Sequence, residues 1–183
     1  APSRIDRARQ EIQNFILHRN ENIGQIGLIN FAGSSVILSY LTEDAQNIVF
    51  YLDYLEADLR PTYGTDIGGG FKNALLLLEK EQEIDEGLRP EDFTFILISD
   101  GEDHGEALQE AVQKAIQLHV RTYTVGLGTE TGAYIPIGER DGHTVFLVDE
   151  EGDRLLATFD ENTLRSVAIR TGGRYYRSHT GTE

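Results

Sequence analysis

The sequence predicts an α/β fold: an open, mostly parallel sheet with helices on both faces and one antiparallel hairpin at its edge. Three observations predict it. Helical and strand patterns alternate over most of the 183 residues, as β-α-β connections require. Residues 93–99 (FTFILIS) are almost continuously apolar, as expected for a parallel strand covered on both faces. Residues 25–32 and 35–41 are two apolar runs parted only by Gly33 and Ser34, the spacing of a tight antiparallel hairpin.

The elements follow in order. Residues 3–19 read as a helix, because Ile5, Ala8, Ile12, Phe15 and Ile16 share one face. Ser3 with Asp6 resembles a capping box just after Pro2. After the hairpin, Thr42 or Asp44 caps a second helix with the stripe Ala45, Ile48, Val49, Leu52 and Leu55. Residues 60–64 (RPTYG) read as a loop by their Pro and Gly. A third helix runs from Asp66 to about Glu86, with Phe71, Ala74, Leu75 and Leu78 inward. Gly68, Gly69 and Gly70 sit in its first turns, at a cost of about 2–3 kcal/mol relative to alanines. Something there wants a backbone without side chains, either close packing or a close ligand approach.

Asp100-Gly101 ends the strand at 93–99. Leu108, Ala111, Val112, Ala115 and Leu118 mark a fourth helix, and residues 120–126 the next strand. Residues 127–137 read as a Gly-rich loop. Residues 144–148 and 154–158 read as a hairpin around an acidic turn (Asp149, Glu150, Glu151, Asp153), an insertion spanning about 142–158. Asp160 caps a last helix carrying Leu164, Val167 and Ala168. Gly172-Gly173 stops it, and residues 174–177 are a terminal strand. No repeat or interdomain linker is visible, so residues 1–183 are read as one domain.

Composition narrows the function. Hydrophobic residues are 39% and charged residues 26%, ordinary for a globular domain. Sixteen basic against 31 acidic residues give a net charge of −15. Phosphate backbones repel such a surface, so nucleic-acid binding is not expected. The charge serves solubility or attracts cations and basic partners. Without cysteines, disulfides and zinc–thiolate sites are excluded. No apolar run reaches the ~20 residues of a membrane span, and no secretory signal pattern is read. The chain opens on Ala1-Pro2-Ser3 without a starting methionine, as a fragment or a processed product would.

In open α/β sheets ligands sit beyond the carboxyl ends of the strands. Two features fall there. Asp100 follows the strand at 93–99, and Thr65 precedes the third helix. A carboxylate and a hydroxyl on neighbouring loops suit a hard divalent cation, which prefers oxygen ligands. Asp66, Glu102 and Asp103 add negative potential. The alternative is that Thr65 and Asp66 only cap the helix. Tyr63, Gly64, Asp66, Glu102 and Tyr134 are candidates for the rim of such a site.

Four blocks carry a resemblance. They are residues 24–33 (GQIGLINFAG), 64–68 (GTDIG), 97–102 (LISDGE) and 120–128 (VRTYTVGLG). In this order and spacing the chain resembles a von Willebrand factor A domain, with its Rossmann-like fold. Residues 126–137, the stretch from Phe159 through Tyr176 and the opening at Pro2 to Ala8 resemble its bacterial membrane-anchored aerotolerance (Bat-type) branch. The resemblance implies a metal-ion-dependent adhesion site holding Mg2+, or Mn2+ or Ca2+ in its place. Thr65 matches the family's second metal-binding element and Asp100 its third. The first, an Asp-x-Ser-x-Ser loop after the first strand, does not occur in these residues. In the family that strand lies mid-sheet, between the strands at 25–32 and 93–99, so a missing central strand and weak metal affinity are expected.

The implied function is non-enzymatic. A partner carboxylate completes the shell of an ion held by Thr65 and Asp100. The Bat-type resemblance implies a periplasmic domain anchored by spans outside these residues, working beside other A-domain proteins and a chaperone-like ATPase. It leaves the cytoplasmic side open. Rival readings are a metal-independent scaffold and a metal-assisted hydrolase. The hydrolase has no G-x-S-x-G elbow, and of the five histidines only His104 lies near the proposed site. A dinucleotide site is disfavoured because 126–132 is spaced G-x-G-x-x-x-G. A phosphoacceptor domain is disfavoured because Lys80 and Lys114 fall within helices.

Overall fold

The structure is a computed structural model that describes residues 4–53, 55, 65–128, 132–134, 136–140, 143–148 and 152–178. The chain runs α1 (Arg4–Leu17), β1 (Ile26–Phe31), β2 (Ser35–Thr42), α2 (Ala45–Asp53), α3 (Ile67–Ile84) and β3 (Thr94–Ser99). It continues α4 (Leu108–Gln117), β4 (Arg121–Gly126), β5 (Ala133–Tyr134), β6 (Pro136–Arg140), β7 (His143–Phe146), β8 (Leu156–Ala157), α5 (Glu161–Arg170) and β9 (Tyr175–Arg177). Asp44 and Asp160 cap their helices as the sequence announces, while Ser3 lies outside the described residues. Asp44 Oδ1 accepts the Gln46 N–H at 2.9 Å. Asp160 accepts the Thr163 N–H at 3.1 Å and its hydroxyl at 2.7 Å. Gly172, at φ +77°, lets the chain leave α5 in the left-handed conformation.

Strands β3, β4 and β9 form a parallel sheet in that order. β1 and β2 form an antiparallel hairpin. Among the described residues β1 and β3 do not pair with each other, so helices join the two pieces. On one side α3 lies against both. A Cβ on Gly70 would stand 3.0 Å from the Phe31 ring, and one on Gly27 3.0 Å from Leu77. Phe71 and Leu78 share a core with Leu97, Val112, Val120, Leu164 and Val167. On the other side Ile12 and Ile16 of α1 pack with Ile48 and Leu52 of α2 and with Ile26 and Leu28 of β1. Alternate residues of β1 thus meet helices on opposite faces, as the period of a strand dictates. Glu11 of α1 also accepts the Ser178 hydroxyl just past β9, at 2.7 Å.

The structure departs from the sequence reading in two places. Residues 127–137 are not simply loop, since they carry β5 and the start of β6. β6 pairs with β7, and β5 pairs with β8. The expected hairpin of 144–148 with 154–158 shrinks to one bridge, Val148↔Arg154, and a 2.9 Å bond from the Leu155 N–H to the Leu147 carbonyl. Gly and Pro in 127–137 signal a break but do not say which short segments pair across it; side-chain contacts such as Tyr134 against Phe146 do. Of the acidic turn, residues 149–151 lie outside the described residues. The second departure is β3. It is not covered equally on both faces, because Leu97 is 6% exposed but Ile96 is 44% exposed.

Candidate functional site

The loops before α3 and after β3 meet at the carboxyl ends of β1 and β3. The Asp66 N–H donates to the carbonyl of Ala32, just past β1, at 2.7 Å. The His104 N–H donates to the Thr65 carbonyl at 2.7 Å. The Thr65 N–H donates to His104 Nδ1 at 3.3 Å. The Ile67 N–H donates to Asp103 Oδ1 at 3.0 Å. Three hydrogen bonds therefore join the Thr65 loop to the loop that carries Asp100.

The glycines explain how close the loops come. A Cβ on Gly68 would lie 2.4 Å from the Leu108 nitrogen, and one on Gly105 2.3 Å from Asp66 Oδ1. The glycine run of α3 is thus used for packing, Gly68 on the start of α4 and Gly70 on β1. Gly101 has φ +83°, and a Cβ there would lie 2.1 Å from the Asp160 carbonyl. That carbonyl belongs to the α5 cap, whose N–H donates to the Asp100 carbonyl at 2.8 Å. The main chain at Asp100 is fixed by β3 on one side and α5 on the other.

The side chains divide into two groups. Asp66 is the cap of α3, its Oδ1 accepting the Gly69 N–H at 2.8 Å. Asp103 holds the Ile67 N–H. Glu102 reaches away from the loops, accepting the Thr158 N–H at 2.9 Å and the Thr158 hydroxyl. All three carboxylates are engaged, and for Asp66 and Asp103 the contact is the one that suits acids at the start of a helix. The hydroxyl of Thr65, by contrast, has no hydrogen-bond partner among the described residues. Capping falls to its neighbour. Asp100 Oδ1 accepts the Glu102 N–H at 3.3 Å.

Of the other rim candidates, Tyr134 lies on the β5 arm, half-exposed and edge-on to Phe146 at 5.8 Å. Tyr63 and Gly64 lie outside the described residues. Two residues matter more here than the sequence suggested. The His104 ring accepts from the Thr65 N–H, and Thr158 holds Glu102. Nothing local announces either contact; the partners stand 39 and 56 residues apart.

A hard cation in octahedral geometry wants about six oxygens. Thr65 and Asp100 are oxygen donors of the right chemistry, but among the described residues no group of three or more His, Asp or Glu side chains could hold a metal. The described residues do not by themselves complete a magnesium site.

No curated protein matches the chain. Among solved structures it is similar to an aerotolerance-related membrane protein from Bacteroides fragilis carrying multiple mutations to serines. Identity there is 24% and the TM-score 0.83, over 98% of this chain and 83% of that one. It is also similar to the conserved hypothetical protein BatB from Bacteroides thetaiotaomicron, at 25% identity and a TM-score of 0.81, over 97% and 80%. The manganese-loaded TRAP protein of Plasmodium vivax shares the fold at 13% identity and a TM-score of 0.57, over 93% and 59%. No helix among the described residues is long and apolar enough to cross a membrane. The von Willebrand factor type A domain model matches residues 1–102, more than half of the chain, and this protein belongs to that family.

Proposed function

We propose that this domain is a non-enzymatic module that recognises another protein at the strand-end loops around Thr65 and Asp100. The observation that carries the reading is the Thr65 hydroxyl, without a hydrogen-bond partner among the described residues where the backbone around it is tied to β1 and to the loop after β3. A free polar group on a fixed frame suits binding better than capping. We propose further that Thr65 and Asp100 supply two oxygens to a hard divalent cation, Mg2+ or Mn2+ or Ca2+ in its place. The manganese-loaded Plasmodium vivax protein is the analogy for the ion. Such an ion, when bound, lets an acidic surface meet an acidic side chain.

The remaining donors would come from an Asp-x-Ser-x-Ser loop of the family pattern, on a strand lying between β1 and β3. The half-exposed edge of the core at Ile96 fits a sheet that is open there. By analogy with the aerotolerance relatives, the partners would be other A-domain proteins and a chaperone-like ATPase. The domain would then sit on the periplasmic side, anchored by spans outside these residues.

A magnesium titration watched through backbone amide shifts tests the ion. Shifts confined to the surroundings of Thr65 and Asp100, lost in Thr65→Ala, are the expected result. Because only two donors are at hand, the affinity should be no better than about millimolar. Shifts that scatter over the acidic surface, or survive Thr65→Ala, would refute it. That the described residues hold no group of three or more acidic or histidine side chains placed to bind a metal favours a second reading, in which recognition is independent of metal. Partner binding that survives both Thr65→Ala and a chelator would establish that reading instead.

A further inference from the structure

Three arginines among the described residues stack on aromatic rings. Arg165 lies over Tyr175 at 4.5 Å and Arg177 over Phe159 at 5.2 Å. Both also meet a carboxylate, that of Glu161. The third, Arg154, lies over two rings, Phe146 at 4.9 Å and Tyr134 at 5.7 Å. It has no carboxylate partner among the described residues. In a chain with 31 acids and 16 basic residues, an arginine held in place with no carboxylate partner among the described residues stands out.

Stacking fixes the plane of a guanidinium and leaves its N–H edge free. That edge matches the two oxygens of a carboxylate. The described residues that pack with Arg154 are apolar and accessible. Tyr134 faces Leu156 across the β5–β8 pair, and Val148 bridges to Arg154 itself. These three are 49%, 48% and 44% exposed. An arginine set among aromatic and aliphatic side chains is the make-up of a protein contact rather than of a site for a free ion, because interfaces are enriched in arginine and aromatic residues.

We propose that Arg154, with Tyr134, Phe146, Leu156 and Val148, binds a carboxylate side chain on an otherwise apolar peptide segment of a partner protein. This site takes no metal and stands apart from Thr65 and Asp100. It is nevertheless within reach of them. Thr158, which holds Glu102 of the strand-end loop, is four residues from Arg154, at most about 14 Å of extended chain. One partner can touch both surfaces.

The test uses the 183-residue chain, isotope-labelled, in EDTA, so that no divalent cation takes part. Its probes are two capped tripeptides, acetyl-Leu-Glu-Leu-amide and acetyl-Leu-Gln-Leu-amide. The readout is the Arg154 side-chain Nε–H resonance with the amides of Tyr134, Phe146 and Leu156. The Glu peptide should shift these saturably and bind about fivefold or more tightly than the Gln peptide. Arg154→Lys should weaken binding about threefold or more, since an ammonium cannot form the paired contact. Thr65→Ala should leave it unchanged, which separates this site from the strand-end reading. Arg154→Ala should abolish it, with the amides of Leu164 and Val167 reporting that the core is intact. Equal binding of the two peptides, retained binding in Arg154→Ala, or no shift with the Glu peptide at about 20 mM would each overturn the proposal.

Discussion

The two faces of the β3–β4–β9 sheet are buried to different extents. Paired residues of parallel neighbours share a face, so Leu97, Thr124 and Tyr175 lie on one and Ile98, Val125 and Tyr176 on the other. On the first face α3, α4 and α5 close over the strands. There two threonines, Thr122 and Thr124, are 0% exposed. On the second face Ile96 is 44% and Tyr176 51% exposed. The side of the sheet a residue occupies, rather than its hydrophobicity, decides its burial here. The Thr124 hydroxyl is satisfied, whereas at Thr122 only the backbone finds a partner among the described residues and the hydroxyl does not. Thr124 Oγ1 donates to the Leu164 carbonyl at 3.0 Å, and the Thr122 N–H donates to Thr171 Oγ1 at 3.1 Å.

Substitutions on the two faces should differ accordingly. Leu164→Ala empties a fully buried position under α5 and should lower stability by about 2–5 kcal/mol. Ile96→Ala on the opposite face should cost about 1 kcal/mol or less. Urea unfolding of the two variants measures the contrast, and equal costs would show that both faces are sealed. Gly68→Ala comes next. Alanine favours a helix by about 1 kcal/mol, but its Cβ would meet the backbone of Ala107 and Leu108. Overpacking should win, with a net loss of about 1–3 kcal/mol in the same assay.

The buried threonines sharpen the comparison within one face. Thr124→Val removes a made hydrogen bond and should cost about 1 kcal/mol. Thr122 Oγ1 is buried without a partner, so Thr122→Val should be neutral or stabilise by up to about 1 kcal/mol. In thermal melts Thr122→Val should melt higher than Thr124→Val; equal losses in the two variants would break the account of how β4 carries polar residues. At the candidate site Asp66→Ala should cost about 1 kcal/mol through the lost cap. Thr65→Ala should leave the melting temperature within about 1 °C, because its hydroxyl holds no other group among the described residues.

The same division runs through the site. That a hydroxyl and an acid lie at strand ends was legible in Thr65 before a helix and Asp100 after the apolar run at 93–99. Which acids are engaged was not. Asp66, Glu102 and Asp103 look alike in sequence, yet one caps α3, one holds Thr158 across 56 residues and one holds Ile67 across 36. Partners that far apart leave no periodic trace.

Local rules were enough for the helices, the hairpin and the parallel strands. Periodicity, caps and turn residues act over a few positions, and every one of them is written in the order of the side chains. Tertiary structure alone decided the pairing of β5 with β8 and β6 with β7, the burial of Thr122 and Thr124, and the exposure of Ile96. It also stacked Arg154 on two rings from strands of its own arm. Each of these depends on which surfaces meet after the chain has closed long loops, and that choice rests on packing free energies summed over distant residues.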